Sequence, residues 1–335
     1  MVERLERLLK AVEDVSSVLI VPHNDPDPDA IASALALEAL LRDRAGIASR
    51  IRYEGLVGRA ENQALVLYLQ CPLKRLKARD LNGPEPLALV DTQPGAGNNP
   101  LTALHKPLLV FDHHPWREAS GAVPFSDVRT GVGSTSAILV EYLRAAEIEI
   151  PPPLATALFY GIKTDTAGLI RSASSTDLTA YHFLQPRIDV DALIEIESAQ
   201  VPEIYFQGLD AALHAARVYK GIIISYIGSM QRPDMAAEMA DLLLRLRRIK
   251  WAICMGMYGG KLILAVRARV DRPGAGRMVQ AIVGDEGMAG GHGLMAAGQI
   301  PLRNAEPEQL AWELAGRALE YLKIGRDSQW KPLLG

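Results

Sequence analysis

Two cysteines, Cys71 and Cys254, are all the thiol that this 335-residue chain has. They are too few and too far apart for a disulfide framework or a thiolate metal site, and read as core residues of a protein from a reducing compartment. No apolar run reaches the length of about 18 residues that a membrane span needs, so no membrane partner is expected. The first segment places Leu5, Leu8, Leu9 and Val12 on one face of a charged helix, unlike the unbroken apolar stretch of a secretory signal. A cytoplasmic address follows as the expectation. A basic excess is missing too, with 36 Lys and Arg against 39 Asp and Glu and a net charge of -3. The chain therefore lacks the cations that grip long duplex nucleic acid by counterion release, and a short anionic substrate held locally stays open.

What is present points to two domains, because 335 residues exceed what one hydrophobic core usually serves. Short apolar runs at 17–23, 87–92 and 108–114 read as buried parallel strands, and they alternate with helical patterns at 29–46, 133–147 and 151–166. That alternation predicts an open α/β sheet. Strand signals lapse around 186–207, which is read as a linker between a first domain at 1–185 and a second at 208–335. In the second domain, strands are predicted at 221–228, 251–258 and 262–270, the last two joined as a hairpin across Gly259 and Gly260. A helix is predicted over 232–248, with Pro233 in its first turn and a core stripe of Met235, Met239, Leu242 and Leu243. The basic run Arg245, Arg247, Arg248 and Lys250 reads as its solvated end.

Chemistry-bearing residues gather where the predicted strands end. His23, Asp25, Asp27 and Asp29 crowd one turn, where carboxylates repel one another unless a cation sits among them; an Asx cap alone would need one Asp. Asp91 follows the next strand and by itself fits a turn cap as well as a metal ligand. Asp112, His113 and His114 follow the third, joining a carboxylate to imidazoles with no thiolate nearby, a set suited to Mn²⁺, Zn²⁺ or Fe²⁺. Adjacent side chains diverge, so the two histidines are assigned different jobs. Asp165 stands at a helix end, where the dipole disfavours an acid unless some positive charge compensates. These segments hold ligands enough for two divalent ions sharing one carboxylate; ions about 3.5 to 4 Å apart activate water and stabilise a leaving oxygen in phosphoryl transfer. The stretch Gly133, Ser134, Thr135, Ser136 heads a helix, so its N–H groups either accept an anionic substrate or cap the helix, and Ser134 is a candidate substrate contact.

In their order, the motifs at 23–33, 90–92, 112–114, 164–166 and 290–298 resemble the DHH phosphoesterase superfamily. The resemblance is to its RecJ-like branch of nanoRNases and pAp phosphatases. It implies a parallel-sheet N-terminal DHH domain, a smaller C-terminal α/β DHH-associated domain, and an active site in the cleft between them. It implies two divalent ions, Mn²⁺ in the first place and Mg²⁺ as the alternative, one held by His23, Asp27 and Asp91 and the other by Asp29, Asp91, His113 and Asp165. Asp112 would orient ligands or water, and His114 would face the substrate phosphate or leaving group. Asp25 falls at a position that varies in the family. In the second domain, Gly290, Gly291 and His292 resemble a phosphate-contacting loop, and Arg267 a terminal-phosphate ligand, with Ala268 where the family carries serine. The implied reaction is hydrolysis of short oligonucleotides, pAp-like nucleotides or linear dinucleotides to mononucleotides. Cyclic-dinucleotide hydrolysis and non-catalytic nucleotide sensing are the alternatives, and a homodimer is compatible with either.

Overall fold

The apolar runs of the first half become strands because both of their faces are covered. Val18, Ile20, Ala88, Val90, Leu109 and Phe111 enter one large core, while Leu19, Val21, Leu87, Leu89 and Val110 alternate with them into a smaller core on the opposite face. A computed structural model describes residues 1–335 apart from 71–72, 270–273, 304, 326–329, 335 and the side chain of His292. The chain divides into two units, Met1–Gln200 and Val201–Gly335.

The first unit runs α1 (Val2–Ala11), β1 (Ser17–Pro22), α2 (Pro28–Ala45), β2 (Ala48–Tyr53), α3 (Ala60–Tyr68), β3 (Lys74–Arg75), α4 (Ala78–Leu81), β4 (Leu87–Val90), β5 (Leu109–Asp112), β6 (Phe125–Val128), α5 (Thr135–Ala145), α6 (Pro152–Asp165), α7 (Ser175–Leu184) and α8 (Val190–Glu197). Its six strands lie in the order β3-β2-β1-β4-β5-β6, with every pair parallel. Parallel pairing puts all the C-terminal strand ends on one rim. The order reverses between β1 and β4, the crevice where open α/β sheets bind ligands. Helix α2 is capped by Asp27 at its start and stopped by Gly46 in the left-handed conformation, φ 67°.

The second unit runs α9 (Glu203–Ala215), β7 (Arg217–Tyr219), β8 (Ile222–Ser229), α10 (Met235–Leu243), β9 (Trp251–Tyr258), β10 (Lys261–Ala268), α11 (Ala275–Val283), β11 (Met288–His292), β12 (Met295–Pro301), α12 (Pro307–Tyr321) and β13 (Lys331–Pro332). These strands form a mixed sheet in the order β11-β12-β10-β9-β8-β7-β13. Trp251, Ile253 and Met255 of β9 face α11 and α12, while Ala252 and Cys254 face α9 and α10. The hairpin of β9 and β10 forms as expected, with Gly259 and Gly260 both at positive φ, 56° and 74°, the requirement of a two-residue turn matched to strand twist.

The structure corrects three details. Helix α10 begins at Met235, so Pro233 precedes it, and it ends at Leu243, short of the basic run. Leu242 points outward at 38% exposure and leaves the core stripe to Met235, Met239 and Leu243. Cys254 is buried, whereas Cys71 lies outside the described residues. Among the described residues, no helix is long and apolar enough to cross a membrane.

Candidate metal centre

The rim of the first sheet collects the chemistry. Strand β1 leads into His23, Asp27 and Asp29, β4 into Asp91, and β5 ends at Asp112 before His113 and His114, while α6 delivers Asp165 as its last residue. Ligand atoms of His23, Asp27 and Asp91 lie within 4.8 Å of one another, and so do those of Asp29, His113 and Asp165 and of Asp91, His113 and His114. His23 Nε2 stands 3.4 Å from Asp91 Oδ2 and 3.6 Å from Asp27 Oδ1. His113 Nε2 stands 3.5 Å from the other oxygen of Asp91, Oδ1, and 3.2 Å from Asp165 Oδ2. One carboxylate thus faces a different imidazole with each of its oxygens.

Surrounding groups fix these orientations. His23 Nδ1 donates to the Asn24 carbonyl at 2.7 Å and His113 Nδ1 to that of Val132 at 3.3 Å, which turns both Nε2 atoms toward the carboxylates. Asp29, fully buried, accepts the N–H groups of Thr135 and Ser136, each at 2.7 Å, one on each oxygen. Those amides head α5, where unpaired donors and the helix dipole favour negative charge. The Thr135 hydroxyl donates to Asp91 Oδ1 at 2.7 Å. Asp91 itself holds φ 58°, a left-handed conformation that costs a non-glycine residue about 1–2 kcal/mol. Its N–H is tied to the Phe111 carbonyl at 2.8 Å. Gly161 lets α6 close on this corner, since a Cβ there would lie 3.0 Å from the Asp29 Cα and 2.7 Å from Ser136 Oγ.

The electrostatics show a deficit of positive charge. Burial, then the neighbouring charges of Asp91 and Asp165, push the Asp29 carboxyl well above the carboxylate range. Burial and the Asp27 charge push Asp165 up to about 6. Burial would lower the His23 and His113 rings, but hydrogen bonds to Asp27 and Asp91 in the first case, and to Asp165 in the second, hold both well above the usual histidine value. Burial likewise opposes ionisation of Asp91, yet its hydrogen bond with His23 and the charges of His114 and His113 hold it low. Raised Asp29 and Asp165 beside a depressed Asp91 mark crowded carboxylates whose mutual repulsion a cation would relieve. Imidazole with carboxylate and no thiolate suits Mn²⁺, Zn²⁺ or Fe²⁺.

Among known proteins, residues 17–162, the segment that carries β1, β4, β5 and most of α6, match the DHH family, N-terminal domain. This segment is a DHH-family domain. An uncharacterized protein of Methanocaldococcus jannaschii is 34% identical over 308 residues, which cover 90% of this chain and 61% of that protein. The chain thus spans about three fifths of that relative's length. The crystal structure of an exopolyphosphatase-related protein from Bacteroides fragilis has a similar fold, with a TM-score of 0.71, 16% identity and 96% of each chain covered.

Within the DHH domain, Asp112 stands outside the three groups of candidate metal ligands. Its Oδ1 accepts the His113 N–H at 2.9 Å and lies 2.8 Å from His114 Nδ1, and its Oδ2 accepts the Gln93 amide at 2.6 Å. His114, its side chain 34% exposed, turns Nδ1 to Asp112, so Nε2 is the ring nitrogen not engaged by that carboxylate. Burial would lower its pKa, but the Asp112 hydrogen bond and the Asp91 charge raise it. Gln93 is a buried hub absent from the sequence-based site: its Nε2 also reaches the Pro115 carbonyl at 3.1 Å, and its Oε1 accepts from the Arg117 N–H and the Ser120 hydroxyl. Asp25 stays out of the cluster and accepts the Leu56 N–H at 2.7 Å.

The substrate-side expectations fare differently. Ser134, expected as a substrate contact, is fully buried; it caps α5 and donates to Asp177 Oδ1 at 2.9 Å. The N–H groups of Gly133, Thr135 and Ser136 are likewise taken by Asp177 and Asp29, so the anions at this helix start are the protein's own carboxylates. Gly290 and Gly291, expected in a loop, lie in strand β11 opposite Ala297 and Ala296 of β12. Gly291 has φ 130°, and a Cβ there would meet the Ala296 Cα at 2.4 Å, so strand packing accounts for that glycine. The His292 side chain lies outside the described residues. Arg267 is buried on β10, its Nε donating to Asp241 Oδ1 at 2.6 Å and its Nη1 to the Val266 carbonyl at 3.2 Å.

Proposed function

We propose that this chain is a divalent-metal-dependent phosphoesterase acting on short nucleotides. The observation that carries the reading is the two-sided approach to Asp91, with His23 on Oδ2 and His113 on Oδ1. His23 and Asp27 with Asp91 would hold one ion, and Asp29, His113 and Asp165 with the same Asp91 a second. Bound there, the pair would supply Lewis acidity toward water and the phosphoryl oxygens.

The chain's own residues account for the rest. Thr135 and the α5 amides keep Asp91 and Asp29 aimed. Asp112 holds His114 by Nδ1 and favours its protonated form, so Nε2 can hand a proton to a leaving oxygen. Fold and family membership support phosphoester chemistry, and the absence of basic excess supports short substrates over long nucleic acid. In the second unit, Arg267 would contact substrate phosphate by exchanging its Asp241 partner for it.

The test is purified protein with Mn²⁺ and, separately, Mg²⁺ against pAp, pApA, cyclic dinucleotides and RNAs of two to five residues. Metal-dependent hydrolysis that Asp91→Asn abolishes, with folding unchanged, is the expected result. Activity retained by that variant would refute the assignment. Stoichiometric nucleotide binding without turnover by the wild type would make the protein a sensor.

A further inference from the structure

A second concentration of charge lies on the same unit, away from the carboxylates of the rim. A cavity of about 460 Å³ is lined by Arg50, Arg52, Lys74, Arg75, Lys77 and Arg79. Its two acidic lining residues are Asp80 and Glu85, so six cations less two carboxylates leave a local excess of four positive charges. The whole chain carries -3. None of the candidate metal ligands lines this cavity.

The acids orient rather than cancel. Arg50 donates to Glu85 through Nε at 3.1 Å and to Asp80 through Nη1 at 3.3 Å, and Arg52 lies 3.9 Å from the same Asp80. Asp80 is buried and bonded back to the Lys77 N–H at 2.8 Å, so it is a fixed anchor under two guanidinium groups. Lys74, Arg75, Lys77 and Arg79 are exposed, and among the described residues none of them is in an ion pair. Four exposed cations around one hollow, in no ion pair among the described residues, make a positive patch that draws anions.

Size and lining select the anion. The volume falls in the range of small-ligand sites, about 300–1,000 Å³. No aromatic residue lines it, so the stacking platform that nucleobase recognition uses is missing. Guanidinium and ammonium groups suit phosphate oxygens, and three linked phosphates carry about four negative charges at neutral pH.

We propose that the cavity between β2, β3 and the 77–85 segment is a binding site for a chain of linked phosphates, distinct from the metal centre. Free tripolyphosphate and the tail of a nucleoside triphosphate both present that chemistry. The site reads the phosphates and leaves the base unread.

Calorimetry on metal-stripped protein tests this, because without cations the carboxylates of the rim repel phosphate. Titrants are sodium tripolyphosphate, ATP and orthophosphate. Expected is saturable one-to-one binding of tripolyphosphate and ATP with similar affinities, each at least tenfold tighter than orthophosphate. The double variant Lys74→Ala/Arg75→Ala weakens both at least tenfold, and Lys77→Ala/Arg79→Ala does so independently, which covers the case in which edge strand β3 fails to form. Unchanged affinity in whichever folded variant is measured, or no saturable binding, overturns the proposal. ATP bound tenfold more tightly than tripolyphosphate also overturns it, because the base would then be read.

Discussion

Thr135 and Asp91 are 44 residues apart in sequence and joined by a hydroxyl-to-carboxylate hydrogen bond of 2.7 Å. The bond lands on Oδ1, the oxygen that also faces His113, so it sets the rotation of the one carboxylate that both halves of the candidate metal centre share. Thr135→Val keeps the shape and removes the donor. Loss of such an orienting partner costs metal affinity about 10- to 100-fold. Mn²⁺ titration of the variant by calorimetry should show that drop with the far-ultraviolet spectrum unchanged.

Asp112 acts on chemistry through His114. Asp112→Asn keeps the volume but removes the charge that favours the protonated ring. Turnover of the best nucleotide substrate should fall on the order of 100-fold with KM nearly constant, as expected for a lost proton donor. The alkaline limb of the pH–rate profile, where a proton donor is lost, should move to lower pH as well. A KM effect with kcat intact would instead assign Asp112 to substrate binding.

Gly161 controls the approach of α6 to α2. Gly161→Ala puts a methyl against the Asp29 Cα and Ser136 Oγ, and overpacking of this kind costs about 1–3 kcal/mol. Because Asp165 sits one turn further along the same helix, Mn²⁺ affinity should weaken together with the melting temperature.

Acid sensitivity has a separate seat at Asp127 on β6. Burial would raise its pKa, but hydrogen bonds from Arg129, the charge of Arg129, the Tyr142 hydroxyl and the charge of Arg4 outweigh burial and hold it below the ordinary carboxylate value. A depressed folded-state pKa gives stability that is present above the unfolded value and lost as pH falls through the folded one. Urea unfolding should therefore show Asp127→Asn less stable than wild type by about 1–3 kcal/mol near neutrality. The gap should close as pH falls below about 4.

Metal addition should stabilise the fold in its own right. Bound only by the folded chain, Mn²⁺ at about 100 times its dissociation constant adds about 2.7 kcal/mol. A rise in melting temperature that Asp91→Asn abolishes is the expected outcome, and it needs no substrate.

The sequence made the strands legible because a parallel strand buried on both faces is an unbroken apolar run, and it made the rim legible because ligands directly follow those runs. The structure brings His23, Asp27, Asp29, Asp91, His113 and Asp165 together at that rim. Gln93 and Thr135 stayed hidden, since a glutamine before a proline reads as a turn and a threonine at a helix start reads as a cap; their partners lie 19 and 44 residues away. The helix start at Gly133–Ser136 showed anion affinity in its sequence but could not show that Asp29 and Asp177 had already claimed it. Gly290 and Gly291 were ambiguous for a related reason: glycine permits a phosphate to come close and permits a neighbouring strand to do so equally.

Asp29 takes its aim from two main-chain amides, and main chain is common to all residues. Side-chain replacement along the first turn of α5 can therefore drift without disturbing that carboxylate, and only proline at 135 or 136 would delete a donor outright. Asp91 has no such insulation, because the hydroxyl that steadies it belongs to one side chain. The two ligands thus sit at opposite ends of mutational tolerance, and variants that retune the centre while preserving it are to be sought around Thr135 rather than around Asp29.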